Sequence, residues 1–195
     1  MSEESTTDQP KEQEQNDTQS MSREGIISFG VYFIILSVVL LYLLVSIWPP
    51  AISEAAPSWS SQPVSLFLGW LKFSLSDEVR LILIVILAGA LGSYVHSATS
   101  FIDYVGNREF VRSWAWWYIL RPFIGISLAL VFYFVIRAGF FSPSAEVGAT
   151  SPYGFAAIAG LVGMFSKQAT DKLSELFDTL FKTTEPERRG DSLET

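Results

Sequence analysis

The sequence predicts an all-α, polytopic membrane protein with four transmembrane helices and an amphipathic helix near its C-terminal end. Three observations predict this fold class. Long apolar runs alternate with polar segments along the chain, and the net charge is concentrated at its two ends. Only 17% of the residues are charged, whereas an average soluble domain has about 25% charged residues.

The two ends of the chain account for the whole net charge of -7. Residues 1–25 hold seven acids and two bases, and residues 183–195 hold four acids and two bases. These ends are rich in Ser, Thr, Gln, Glu and Asp and have almost no apolar residues, so they cannot bury enough surface to offset chain entropy. We predict that both are disordered and that they flank a neutral membrane domain at 26–182.

The first span is predicted at 26–48, where 23 consecutive residues are uncharged and mostly apolar. A helix of about 20 such residues crosses the hydrocarbon core, which is about 30 Å thick. A cleaved signal peptide is the alternative, but its apolar region has about 7–15 residues and follows a basic segment. The longer run and its acidic leader favour an uncleaved span.

Three further spans are predicted at 79–99, 119–141 and 153–167. Ser76 is a candidate N-cap for the second span, and Pro122 suits the first turn of the third. The fourth run is shorter: its uncharged part, Tyr153 to Ser166, would form a helix of about 21 Å. A re-entrant helix is therefore the alternative to a full fourth span.

Two shorter segments are predicted to be amphipathic helices. In 168–182, apolar residues recur at helical spacing and form one stripe: Leu173, Leu176, Phe177, Leu180 and Phe181. Val64 to Phe73, between the first two spans, is too short to cross a membrane. We predict that it forms an amphipathic helix at the membrane interface.

The orientation follows from the distribution of lysine and arginine. These residues are more frequent in the N-terminal tail, in the loop 101–118 and after the fourth span than in the segments 49–78 and 138–152. Because basic residues are enriched on the cytoplasmic side, we predict that both termini lie in the cytoplasm. The predicted location is the cell (inner) membrane, which the chain crosses several times.

Small residues recur at helical spacing within the predicted spans. Gly89 and Gly92 lie in the second, Gly125 in the third, and Gly160 and Gly163 in the fourth. Such spacing lets helix backbones approach closely in lipid, so these glycines are predicted to lie at helix contacts. The pattern does not distinguish packing within one chain from packing between copies of the chain, so a homo-oligomer is an alternative interpretation.

The stretch from Gly89 to Pro122 is the richest in polar side chains near a predicted membrane boundary, where ionisable groups are candidate functional positions. Its candidate residues for a polar knot or a pore are Ser93, His96, Ser97, Ser100, Asp103, Asn107, Arg108, Arg112 and Arg121. The favoured interpretation is a hydrogen-bonded knot that fixes the turn between the second and third spans. In this knot, Asp103 and Glu109 would pair with Arg108, Arg112 or Arg121.

Three alternatives use the same stretch. A pore would be lined by the residues Ser93, His96, Ser97 and Ser100. Arg121 could bind lipid phosphate, as basic pockets at the cytoplasmic side do. In a lipid-acting enzyme, His96 and Asp103 would be the acid and base.

The composition excludes several kinds of site. Because the chain has no cysteine and one histidine, it cannot form a disulfide scaffold, a thiolate metal site or a multi-histidine metal site. Motifs for phosphate loops, zinc proteases and serine hydrolases are missing from the sequence. An acidic chain is also a poor nucleic-acid binder. We therefore predict no catalytic, cofactor-binding or metal-binding residues.

The predicted partners are the lipid bilayer and a second copy of the chain; a protein partner cannot be named from the sequence. The predicted function is a non-enzymatic structural or accessory membrane component that self-associates or binds a membrane partner. The alternatives are a small homo-oligomeric channel or permease and, third, a lipid-acting membrane enzyme.

Five segments carry a resemblance to a known group of proteins. They are Gly-Ser-Tyr-Val-His (92–96), Tyr-Val-Gly-Asn-Arg (104–108), Ser-Trp-Ala-Trp-Trp-Tyr (113–118), Arg-Pro-Phe-Ile-Gly (121–125) and Gly-Met-Phe-Ser-Lys-Gln-Ala-Thr-Asp-Lys-Leu (163–173). Over residues 79–182 the chain resembles a family of small bacterial multi-span integral membrane proteins of unassigned activity. The resemblance implies a bacterial cell-membrane protein, and it implies no catalytic residues.

Overall fold

The computed structural model describes residues 21–49, 63–139 and 151–181. This part of the chain is mostly helical, with one short antiparallel hairpin. Its elements are α1 (Arg23–Ile47), β1 (Val64–Leu66), β2 (Leu71–Phe73), α2 (Asp77–Gly106), α3 (Ala115–Arg137), α4 (Pro152–Met164) and α5 (Ser166–Phe181). The predicted disordered tails lie outside the described residues, except for residues 21–25.

Within the described residues, three segments are long and apolar enough to cross a membrane: α1, α2 and the stretch Arg112–Arg137, in which a 3-10 turn leads into α3. This indicates a membrane protein and confirms that the fold is mostly helical, although the hairpin means that it is not all-α. Helix α4 has 13 residues, about 20 Å of length, so a fourth full span is not established by it.

Helix α1 begins three residues before its predicted start. The hydroxyl of Ser22 accepts a hydrogen bond from the N–H of Gly25 at 3.3 Å, which caps the helix. The helix buries Phe33, Leu40 and Ile47. Because these residues are seven apart, they form one stripe, and this stripe packs on α2.

Helix α2 is the centre of the bundle, since α1, α3 and α4 all pack against it. It runs to Gly106, seven residues past the predicted end. The helix ends in a Schellman motif, in which Arg108 N–H donates to Val105 O and Glu109 N–H donates to Tyr104 O. Arg108 has a φ of 60° there, a left-handed conformation that glycine usually supplies.

Helix α3 contains Pro122 in its interior, seven residues after its first residue, Ala115. The prediction that this proline marks the first turn is therefore wrong. Because Pro122 has no N–H, the carbonyl four residues earlier, at Tyr118, loses its helical donor. The carbonyl of Arg121, a different group, accepts a hydrogen bond from Ser93 Oγ of α2 at 2.7 Å.

The five glycines predicted at helix contacts lie where α2, α3 and α4 meet. A Cβ atom on Gly89 would lie 2.6 Å from the Cβ of Ala129 in α3. A Cβ on Gly163 would overlap the carbonyl oxygen of Gly89, and one on Gly92 would overlap that of Gly160. The backbones therefore meet without intervening side chains, and these contacts all lie within one chain.

The segment Val64–Phe73 forms a β-hairpin, so the predicted interfacial helix is wrong. Val64 pairs with Phe73 across the two strands, and a 3-10 turn at Phe67–Gly69 joins them. Gly69 has a φ of +95°, which a residue with a side chain rarely adopts. Val64 and Leu66 are buried and Ser65 is exposed, an alternation with a period of two that suits a strand.

Helix α5 turns back along α3 after a break at Phe165. Helices α3 and α4 run antiparallel, as shown by the rings of Tyr133 and Phe155, whose centroids are 5.2 Å apart. A helix continuing beyond Met164 would therefore reach the N-terminal half of α3. The buried apolar residues of α5, Ala169 and Leu173, instead pack in one cluster with Phe132 and Val162, with Leu128 and Val135 around them.

Candidate functional site

Two of the four predicted pore-lining residues lie inside the helix contacts. Ser93 and Ser97 are both fully buried on α2. Ser93 donates its hydroxyl to Arg121 O, and Ser97 donates to Ser93 O at 2.9 Å. Because both hydroxyls are used by backbone carbonyls, neither serine faces an open space within the chain. Ser93 joins α2 to α3, whereas Ser97 is bonded within α2.

The other two, His96 and Ser100, line a pocket at the end of α2 and the start of α3. It has a volume of about 410 Å³. Its walls are mostly aromatic and consist of His96, Ser100, Tyr104, Ser113, Trp114, Trp117 and Tyr118. The Ser100 and Tyr118 hydroxyl oxygens are 3.4 Å apart. The aromatic surface comes from both helices, so the pocket forms only when they pack.

A second pocket of about 500 Å³ adjoins the first, since His96, Ser100 and Tyr104 line both. Its remaining walls are polar: Thr99, Asp103, Asn107 and Glu109. The two pockets together form one groove, which we call the rim groove. One half of the rim groove has aromatic walls, and the other half presents two carboxyl groups.

Arg121 lies beside the aromatic half of the rim groove. Its guanidinium carbon is 5.1 Å from the centroid of the Trp117 ring, a cation–π geometry. The side chain of a helical residue leans toward the N-terminal end of its helix, which brings the charge toward the rim. The Nε atom of Arg121 is buried and has no hydrogen-bond partner among the described residues.

The predicted ion pairs of the polar knot do not form. Within the described residues, neither Asp103 nor Glu109 makes an ion pair with Arg108, Arg112 or Arg121. Asp103, Glu109, Arg108 and Arg112 are all exposed, and exposed charges gain little from pairing. Asn107 contributes to the turn through its backbone N–H, which donates to Asp103 O.

Sequence reasoning missed an ion pair at the opposite end of the bundle. Arg137, in the last turn of α3, donates to Glu78 Oε2 at 2.7 Å. Tyr133, which is buried, donates its hydroxyl to the other carboxylate oxygen of Glu78. Glu78 lies in the first turn of α2, and Arg137 is the last residue of α3. In two consecutive antiparallel helices, the start of the first and the end of the second lie at the same rim. This placement was the sequence signal that could have predicted the ion pair.

No group of three or more metal-ligating side chains lies together within the part of the chain that the structure describes. Comparisons with protein-family models, with curated proteins and with solved structures found no match to the chain. The resemblance to a bacterial membrane family therefore stays a prediction, and the geometry of the chain itself is the basis for assigning its function.

Proposed function

We propose that this chain is a non-enzymatic accessory component of a bacterial cell membrane that self-associates in the bilayer. The observation that carries the proposal is that both buried hydroxyls are used by backbone carbonyls: Ser93 joins α2 to α3 through Arg121 O, and Ser97 donates to Ser93 O within α2. A conducting path along this face would need those hydroxyls to contact water. Their use in packing favours a structural framework over a pore.

Helices α4 and α5 supply the fourth membrane element of this framework. Helix α4 ends beside Gly92, the sixteenth of the 30 residues of α2, and so reaches about the middle of the bundle. Helix α5 is amphipathic: Ala169 and Leu173 are buried against the bundle, while Lys172 and Glu175 are exposed on the other side. We infer that α4 and α5 form a re-entrant pair rather than a simple fourth span. This arrangement would leave the end of α5 at the rim opposite the N-terminal end of α1, and so would not place both termini in the cytoplasm as the sequence predicts.

The exposed side of α5 supports self-association. Its charges have both signs, at Lys172, Glu175 and Asp178, and Phe177 is exposed among them. A charged side chain in the centre of a bilayer costs about 2.5–3.5 kcal/mol on insertion scales. A face with charges of both signs can complement itself across a two-fold axis. A second copy seated on α5 would therefore remove these charges from lipid.

The absence of cysteine from the sequence gives a direct test of self-association. Single-cysteine variants Glu175→Cys and, as a lipid-facing control on α1, Val38→Cys would be oxidised in native membranes. We expect a disulfide-linked dimer for Glu175→Cys and little for Val38→Cys, which is 62% exposed in the structure. Equal crosslinking of both variants, or a monomeric mass in mild detergent, would overturn the proposal.

The orientation can be tested with the same cysteine-free background. We propose that the connection between α2 and α3 is cytoplasmic, since basic residues cluster there. The N-terminal end of α1 lies at the same rim, because Met21 N–H donates to Phe110 O at 2.9 Å. In intact cells, a membrane-impermeant thiol reagent should label Lys72→Cys and spare Asn107→Cys; the reverse pattern would contradict this orientation.

A further inference from the structure

We propose that the rim groove binds the headgroup of an amino-phospholipid, a lipid that carries a phosphate and a primary ammonium. The groove has a separate place for each of these charges. Arg121 lies beside its aromatic half, and Asp103 and Glu109 line its polar half. Among the described residues, neither half of the groove is lined by a lysine or an arginine, and the imidazole of His96 lies where the two halves meet.

The anionic end of the ligand is assigned to Arg121. Its Nε is buried without a hydrogen-bond partner among the described residues, and its guanidinium is held against Trp117, which lines the groove. Arginine binds phosphate oxygens through planar, charge-assisted hydrogen bonds. A phosphate group in the aromatic half would accept from the terminal N–H groups of the guanidinium, since the enclosed Nε is out of its reach.

The cationic end is assigned to the polar half. Asp103 and Glu109 are carboxylates, and the hydroxyl groups of Thr99 and Ser100 are further acceptors on the same wall. A primary ammonium has three N–H donors for such acceptors, whereas a trimethylammonium group has none. The groove therefore favours a primary amine over a choline.

The order of the charges also fits a lipid. The Arg121 backbone is level with Ser93, and Asp103 lies ten residues further along α2, about 15 Å nearer the rim. Leaning of the arginine side chain toward Trp117 shortens this separation by about one helical turn, or 5 Å. From the bundle interior outward, the ligand therefore meets first the guanidinium of Arg121 and then the carboxylates of Asp103 and Glu109. This order suits a lipid whose phosphate lies deeper than its ammonium.

Lipid retention tests the assignment. The full chain would be reconstituted in nanodiscs containing equal amounts of phosphatidylethanolamine, phosphatidylcholine and phosphatidylglycerol, and extracted in mild detergent. The lipids that stay bound would then be measured by native mass spectrometry. We expect phosphatidylethanolamine to be enriched about tenfold over each of the other two, the ratio that one charge-assisted hydrogen bond provides.

Matched variants separate the groove from general charge effects. Asp103→Asn and Glu109→Gln should each remove most of the enrichment, and Arg121→Gln should lower the retention of all three lipids alike. The controls Asp178→Asn and Arg108→Gln should keep both the enrichment and the retention. Asp103 and Glu109 are exposed, so their variants remain informative even if Arg121→Gln fails to fold. Excess soluble phosphoethanolamine should leave the lipid bound.

Four results would overturn the proposal. They are equal retention of phosphatidylethanolamine and phosphatidylcholine, a preference for phosphatidylglycerol, displacement of the lipid by soluble phosphoethanolamine, and a loss in the control variants as large as that in Asp103→Asn. Failure of the crosslinking at Glu175→Cys would contradict self-association alone, because α5 contributes no residue to the rim groove.

Discussion

The two halves of the helical bundle achieve close packing by opposite means. In one half, α2, α3 and α4 meet at glycines, and the backbone of one helix occupies the space where a side chain of the next would lie. In the other half, α1, α2 and α3 meet through rings, with Phe33, Phe101, Phe110 and Tyr118 buried in one cluster. We call these the glycine half and the aromatic half.

The difference shows how helices associate where lipid removes most of the hydrophobic driving force between them. Van der Waals contact then has to come from close approach of backbones or from large, well-fitted side chains. The glycine half should be sensitive to added atoms and the aromatic half to removed atoms. This contrast can be tested by matched substitutions.

The largest effect is expected for Gly163→Leu in the glycine half. Even a Cβ atom at this position would overlap the carbonyl oxygen of Gly89, and a backbone cannot move aside without separating α2 from α4. We expect a destabilisation of about 3 kcal/mol or more, or failure to accumulate, measured by thermal unfolding in detergent. Gly154→Leu is the control, since nothing lies within 4 Å of a Cβ there; an equal loss in both would contradict the steric argument.

A slightly smaller effect is expected for Tyr118→Ala in the aromatic half. Tyr118 is fully buried, and its ring centroid lies 5.4 Å from that of Phe110 and 6.1 Å from that of Phe33. Deleting such a ring leaves a cavity and costs about 3 kcal/mol. The free energy of unfolding would be measured by denaturant or heat. Trp116→Ala is the control, because Trp116 is 70% exposed. A similar loss in the control would show that ring removal, not cavity formation, is being measured.

Glu78→Gln tests the rim of the glycine half. The substitution removes the charge that pairs with Arg137 and weakens the acceptor of the Tyr133 hydroxyl. We expect a loss of about 1 kcal/mol that diminishes at high salt. Glu24→Gln, at the exposed start of α1 and without an ion pair among the described residues, is the control and should lose less, because an exposed charge contributes little. Equal losses would remove the special role of Glu78.

The smallest effect is expected where the two halves join. Ser93→Ala deletes the hydrogen bond to Arg121 O and leaves the close approach of α2 and α3 unchanged. Measured polar contacts between membrane helices average about 0.6 kcal/mol, and we expect a loss of that size. Ser127→Ala, which removes an exposed hydroxyl bonded within its own helix, is the control. A loss above about 2 kcal/mol would mean that Ser93 does more than join the helices.

The features that follow from local sequence were predicted best. Uninterrupted apolar runs predicted α1, α2 and α3, and helical spacing of glycines predicted helix contacts at Gly89 and Gly163. The hairpin at Val64–Phe73 was missed because ten apolar and polar residues fit a short helix as well as two paired strands. Pro122 was assigned to a first turn because proline is common there, although the aromatic residues before it extend α3 toward the rim.

The candidate site was predicted in part. His96, Ser100 and Asp103 were singled out, and the structure places all three at the rim groove. Trp114, Trp117 and Tyr118, which form its aromatic walls, were not among the predicted site residues. Whether these side chains contact α2 depends on the angle at which α3 packs against α2. That angle cannot be predicted from the spacing of residues within α3.

The sequence by itself determined that this chain has several helices long and apolar enough to cross a membrane, where they lie and which small residues line their contacts. Apolar length and periodicity are properties of one segment at a time, and both are readable along the chain. Only the tertiary structure decided which contacts form: that the glycines meet within one chain, that Glu78 pairs with Arg137, and that α5 returns along α3. These depend on distances between residues far apart in sequence, and packing of the bundle sets those distances.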